Sequence, residues 1–281
     1  MTLQNKLPLI AKALGTVAVS ACILLHTQPL KEEAISVSKQ DAQEITTPYG
    51  QADLLHTTAV QASQVFMRIW GERAGTSLII LEEARNVMQE NKGRKYKLGE
   101  WDCALFTREV YSRAISRVMR TALNQVNPGA AYEVSADIGS TTYEQWNSTE
   151  IVISEMRKSL LAFALSESNI GDLIFHKDVA GEVANPTPKE KYGHVAIYTG
   201  KRNGVHYAIA NTKRKEGSGV MELPLSKMFK AGRLDGMGEP KLFVTRPCFS
   251  SFDIFVDNGK VVLKAGDGVN PIKITIHTNE Q

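Results

Sequence analysis

The chain is poor in cysteine and lacks the usual patterns that hold a metal or a nucleotide. Its 281 residues include three cysteines, Cys22, Cys103 and Cys248, too few for a disulfide framework. Neither Cys-x-x-Cys nor His-Glu-x-x-His occurs and the histidines are scattered, so no metal site and no cofactor are expected. No Gly-x-Ser-x-Gly elbow and no phosphate loop is present either, which argues against a serine hydrolase of that type and a phosphate-loop nucleotide enzyme. The net charge of +3 is too small to imply a nucleic-acid partner. Internal repeats and low-complexity tracts are also missing.

Long hydrophobic runs are absent with one short exception. Lys6 and Lys12 precede an apolar run from Ala13 to Leu25, too short to span a bilayer comfortably and best read as an export signal. Inside it, Val19-Ser20-Ala21-Cys22 resembles the bacterial lipobox, whose cysteine is acylated. The reading is a chain exported to the periplasm or cell envelope, held to the membrane through a signal-derived or lipid anchor at Cys22. Residues 1–25 are thus expected to be an anchor segment and 26–52 a polar tether without sustained apolar period. The expected catalytic domain spans 53–248, followed by a small β extension over 249–281.

What is there begins with helical periodicity. Leu55, Ala59, Ala62, Phe66 and Ile69 recur at helical spacing between Asp53 and Trp70, predicting an amphipathic helix. A second helix is predicted from Ser77 to Glu90, with Ile80, Ala84 and Val87 on one side and Asn91-Lys92-Gly93 at its end. A third runs from Cys103 to about Met119 with Asp102 at the N-cap. The span after Asn127-Pro128-Gly129 reads as loop as far as Trp146, and roughly Glu150 to Leu165 as a helix. His56, His176 and His277 read as loop residues. Alternation then takes over in Gly171–Phe175, Gly193–Tyr198, Val205–Thr212, Lys241–Arg246 and Phe252–Ile276, with Asn258-Gly259 as a hairpin turn. Helices followed by strands predict an α+β domain.

A cysteine at the start of a helix has the dipole and the free backbone N–H groups beside it, and both favour the reactive thiolate. Cys103 occupies that position, so its thiol is expected to ionise more readily than a free one. His194 opens a predicted strand and is the candidate base. A third group should hold the imidazole through its other ring nitrogen. Asn211 and His206 both lie on the next strand, and their odd separation puts them on opposite faces; Asn211 is the preferred third member and His206 the alternative. The competing structural role for Cys103 is a disulfide with Cys248. The run Lys213-Arg214-Lys215 reads most simply as a solvated turn that can also meet carboxylates of a peptide.

Tyr96-x-x-Gly99-x-x-Asp102-Cys103-Ala104, Gly171-Asp172-Leu173-Ile174-Phe175 and Gly193-His194-Val195-Ala196-Ile197-Tyr198-x-Gly200 resemble, in order and spacing, successive signatures of the NlpC/P60 and related CHAP families. Ser140-Thr141-Thr142-x-x-Gln145 resembles the loop between them, and the likeness extends from about Ile79 to Val220. The resemblance implies a papain-like fold, with N-terminal helices packed on a central antiparallel sheet. It also implies a cysteine peptidase or amidase that cuts amide bonds in peptidoglycan stem peptides through a thioester. It places Tyr96 at the oxyanion site, with Asp102 beside it on the substrate side. Ala104-Leu105 departs from the Ser-Gly usual after the cysteine, and Asn211 follows the CHAP pattern where NlpC/P60 members carry a histidine.

Overall fold

The computed structural model describes residues 48–138, 149–152, 165, 170–177, 192–214, 217–228, 241–265 and 272–278. The anchor segment, Cys22, most of the tether and the 140–145 loop lie outside them. Residues 48–52, expected as the end of the tether, instead belong to the first helix, α1 (Pro48–Gly71). Leu55, Ala59, Ala62 and Phe66 of the predicted stripe are buried, while Ile69 is only partly so and Trp70 continues the buried face. Helix α2 (Arg73–Glu90) buries Ile80, Ala84 and Val87. Helix α3 (Cys103–Val126) runs about two turns beyond the predicted end, because Val118, Met119, Ala122 and Leu123 continue its buried stripe.

Ten strands are present among the described residues. They are β1 (Tyr132–Ile138), β2 (Thr149–Val152), β3 (Leu173–Lys177), β4 (Tyr192–Arg202), β5 (Val205–Arg214), β6 (Gly217–Pro224), β7 (Lys241–Thr245), β8 (Asp253–Asp257), β9 (Lys260–Ala265) and β10 (Ile272–Thr278), with a short helix α4 (Leu225–Met228) after β6. They form a six-stranded sheet of order β2-β7-β3-β4-β5-β6 and a four-stranded sheet of order β1-β10-β9-β8. Every pairing is antiparallel. The chain is therefore an α+β protein with long helices on two antiparallel sheets.

Three expectations are corrected. Tyr132–Ile138, read as loop, is a strand paired along its length with β10; its burial alternates, but the small and polar residues at Ser135, Ala136 and Asp137 leave the period weak in the sequence. Residues 149–152, read as the start of a helix, pair with β7; the rest of that predicted helix, apart from Leu165, lies outside the described residues. His56 sits in α1, His176 in β3 and His277 in β10 rather than in loops.

The C-terminal strands share the helices' core. Val261, Leu263, Ile272, Ile274 and Ile276 lie in one buried cluster with Phe66, Val118 and Leu123 of the helices and with Leu173, Val195, Ile197 and Ile209 of the larger sheet. Residues 43–281 accordingly form one compact unit. The β8–β9 hairpin turns at Asn258 and Gly259, with φ of 50° and 72°, the left-handed pair that a two-residue turn of this hand requires.

A buried ionic centre joins the helices to the larger sheet. Arg246, just past β7, donates all five of its N–H groups: Nε to Asp172, and the terminal nitrogens to Thr76, Ser77 and the carbonyls of Arg73 and Ile170. The other oxygen of Asp172 accepts from Arg73. The Tyr111 hydroxyl donates to the Gly171 carbonyl next door, and burial pushes its ionisation far up.

Candidate active site

The site is assembled by the segment between α2 and α3, residues 91–102, lying against β5 and β6. The N-cap Asp102 takes the Leu105 N–H at 3.0 Å on one oxygen and the Gly99 N–H at 2.9 Å on the other. Both oxygens are used in capping, so Asp102 fixes the helix start and is poorly placed to move protons. A short bridge between Lys97 and Trp101 closes the preceding turn. These local bonds put Cys103 at the first position of α3.

Two strands then hold the segment from the sheet side. Asn211 on β5 donates from Nδ2 to the Trp101 carbonyl at 2.8 Å. On β6, Ser218 Oγ accepts the Tyr96 N–H at 3.0 Å. Gly219 beside it runs so near the Arg94 carbonyl that a Cβ there would stand 2.6 Å from the oxygen. The Arg94 guanidinium lies over the Trp101 ring, 4.2 Å from its centre. Gly219→Ala is expected to push the segment off the sheet and to destabilise the protein by about 1–3 kcal/mol, from overpacking and from the strained φ of +128°. A urea midpoint equal to wild type would show that the segment moves aside at no cost.

The thiol sits where the sheet opens. The ladder between β4 and β5 runs from the turn only as far as Ile197 opposite Ile209. Beyond that pair, the N-terminus of α3 takes over as neighbour to both strands. The N–H groups of Val195, Cys103 and Ala104 lie near enough to Sγ to favour its ionised form. Val195 immediately follows His194, which is buried. By the pleat His194 shares the face of Ala196 and Tyr198, and an extra residue in β4 bulges the strand just before it, opposite His176 and Lys177. Bulges often re-aim neighbouring side chains at functional sites.

The electrostatics differ from the expectation for a resting thiolate. Burial pushes the Cys103 thiol up, aided by the Asp102 carboxylate and opposed by the three N–H groups. Helix-start geometry is present, but desolvation outweighs it. The Tyr96 hydroxyl is also pushed up, by burial first and then by the charges of Cys103 and Asp102. Tyr96 is therefore close enough to the sulfur to feel its charge, and it keeps its proton as a donor.

The two candidates for the third position are separated by the sheet. Asn211 is fully buried on the Ile209 side, with the helices, and its Oδ1 has no hydrogen-bond partner among the described residues. His206 is on the other side with Ala208, its Nδ1 2.7 Å from the Tyr198 hydroxyl. Burial and then Lys201 push His206 down, so it stays neutral near pH 7. Cys248 is exposed and, like Cys103, a free thiol, so the two do not form a disulfide. No family model, curated protein or solved structure matches the chain. The arrangement must therefore be argued on its own chemistry. Among the described residues no group of His, Cys, Asp and Glu is placed to hold a metal ion, and no helix is long and apolar enough to cross a membrane.

The sequence named Cys103, His194, Asn211, Tyr96 and Asp102 as candidates but not Trp101, Ser218 and Gly219, which hold the segment before Cys103 against the sheet. Trp101 adjoins the Asp-Cys pair and was legible as a neighbour. Ser218 and Gly219 carry no local signal, since their role depends on a contact 122 residues distant in the chain.

Proposed function

We propose that this chain is an exported cysteine hydrolase with a papain-like arrangement, cutting amide bonds in peptidoglycan stem peptides. The observation that carries the reading is a helix-start thiol received by the backbone N–H of the residue after a histidine, in the gap where two strands separate. Cys103 is the nucleophile and His194 the base. By the strand's alternation the imidazole starts on the Ala196–Tyr198 side and Asn211 on the Ile209 side with the helices. The bulge in β4 beside His194 must therefore turn the ring toward the sulfur, where the open Asn211 oxygen accepts its other N–H. The Cys103 N–H and the Tyr96 hydroxyl stabilise the oxyanion as the carbonyl is attacked.

In the reaction, His194 takes the thiol proton as sulfur bonds to the carbonyl carbon. The tetrahedral intermediate collapses, the C–N bond breaks and the proton passes to the leaving amine. Water, deprotonated by the same imidazole, then attacks the thioester and restores the thiol. A thiol that stays neutral at rest suits this general-base route, because the proton moves only as attack begins. Export and anchoring through the 1–25 segment, with lipidation at Cys22, would bring the enzyme to its polymer. The test is to incubate the full chain with purified peptidoglycan and identify fragments by mass. New amine and carboxylate ends are expected at one stem-peptide bond, and intact wall after prolonged incubation rejects the reading.

A second reading rests on the raised thiol: an envelope scaffold that keeps the arrangement without catalysis. Alkylation separates the two. If His194 draws the proton, His194→Ala slows iodoacetamide modification of Cys103 at pH 7 by about tenfold or more, since only the thiolate reacts. An unchanged rate favours the scaffold. In either case burial keeps the neutral thiol dominant, so the rate in His194→Ala climbs at a higher pH than that of an exposed thiol.

A further inference from the structure

The smaller sheet ends in an open edge. Strand β8 is its last strand, and among the described residues no backbone group from outside the sheet bonds to it. The strand at the opposite end, β1, is packed along α3, whose Ser112 donates to the Ala136 carbonyl. Free edges are usually blunted by proline, lysine or a bulge. β8 has neither proline nor lysine, and its register with β9 runs unbroken from Asp253 opposite Lys264 to Asp257 opposite Lys260. It also shows apolar surface on both faces. Phe255, 37% exposed, is on the face away from the helices, and Val256, 46% exposed, is on the face where Ile254 meets the common core. A further strand on this edge would cover both.

The charges select the kind of strand that fits. On the face away from the helices, the two outer strands carry acids and the two inner ones bases. Glu133 and Asp137 of β1 stand opposite His277 and Lys273 of β10, as Asp253 and Asp257 of β8 stand opposite Lys264 and Lys260 of β9. The Glu133–His277 pair closes at 2.7 Å. Lys264 instead sets its nitrogen 4.8 Å from the centre of the Phe255 ring, and neither Asp253 nor Asp257 has an ion-pair partner among the described residues. Opposite charges directly across a ladder are favourable and like charges unfavourable. A second copy of the chain therefore fits poorly, because antiparallel β8 strands centred on Phe255 set each Asp253 against the other's Asp257. A strand with basic residues four apart and apolar residues between them fits, as β9 does through Lys260-Val261-Val262-Leu263-Lys264.

We propose that β8 is a strand-addition site for an extended protein segment that carries a basic residue at each end of a short apolar stretch. The added strand takes up the free N–H and C=O groups of the edge, covers Phe255 and Val256, and sets a cation opposite each of Asp253 and Asp257. None of this depends on the chemistry of Cys103. The full chain is titrated with the peptide acetyl-Ser-Lys-Val-Thr-Val-Lys-Ser-amide, and the NMR shifts of the β8 and β9 amides are followed. Controls are the same peptide with Glu in place of both Lys, and two versions N-methylated on alternate residues in either phase, one of which blocks the pairing edge. The Lys peptide is expected to bind about tenfold more tightly than the Glu peptide at low salt, the scale of two exposed charge contacts. The difference fades as salt rises to about 0.5 M. One methylated version loses binding and the other keeps it. Asp253→Asn together with Asp257→Asn removes the preference for Lys, and because both side chains are exposed the thermal midpoint stays put. Equal affinity for the Lys and Glu peptides overturns the proposal. Undiminished binding of both methylated versions also overturns it, since that is a diffuse attraction without strand pairing. Concentration-dependent dimers of the wild-type chain that Val256→Lys disperses overturn it in favour of a second copy.

Discussion

Cys103→Ala is expected to abolish release of stem-peptide fragments, lowering turnover by at least about a thousandfold, the scale on which loss of a nucleophile acts. The substitution deletes one sulfur that is partly buried, and Asp102 still caps the helix through Leu105 and Gly99. Folding stability should therefore change by no more than about 1 kcal/mol. Activity and stability are thus separable at this position. His194→Ala is expected to match the loss, because a thiol that burial holds neutral cannot attack until its proton is taken. Asn211→Ala differs from both: it frees the Trp101 carbonyl that anchors the segment before Cys103, so activity and thermal midpoint are expected to fall together. Fragment yield by mass spectrometry and thermal melts on the same samples read these outcomes. A Cys103→Ala protein that still digests wall at a tenth of the wild-type rate would exclude a thioester route.

Arg246→Ala is expected to cost about 3–5 kcal/mol of folding stability. The side chain of Arg246 is 4% exposed and that of Asp172 2%, so its removal deprives a buried carboxylate of its buried counter-charge. It also removes the guanidinium donor from Thr76 and Ser77 and one of the two donors to the Ile170 carbonyl. Asp172→Ala should be of similar size for the mirror reason, a guanidinium without its counter-charge. The double substitution should cost less than the sum, since each single change already exposes the other partner's desolvation. Urea midpoints of the three variants give the coupling. Strict additivity would mean that the two side chains do not act as a pair.

Much of the local architecture was readable beforehand because it depends on neighbours in sequence. The stripes of α1, α2 and α3, the cap at Asp102 and the hairpin at Asn258-Gly259 all follow from spacing and from side chains that bond their own backbone. The alternation of β3, β4, β5 and β7 was readable for the same reason. The odd separation of His206 and Asn211 also foretold that they face opposite sides, since a strand's pleat is a local property. Strand β1 was not readable: its partner β10 lies about half the chain away, Tyr132 pairing with Thr278 and Ile138 with Ile272, and Glu133, Ser135 and Asp137 with their exposed neighbours resemble loop.

The sequence by itself determined that Cys103 begins a helix capped by Asp102 and that His194 lies on a strand. Only the tertiary structure decided the state of that thiol, because desolvation by β4 and the 91–102 segment outweighs what the helix start offers. Likewise, only folding brought Ser218 to Tyr96, Gly219 against the Arg94 carbonyl, and Arg246 onto Asp172. Burial and long-range contact are properties of the packed chain, and no window of neighbouring residues contains them.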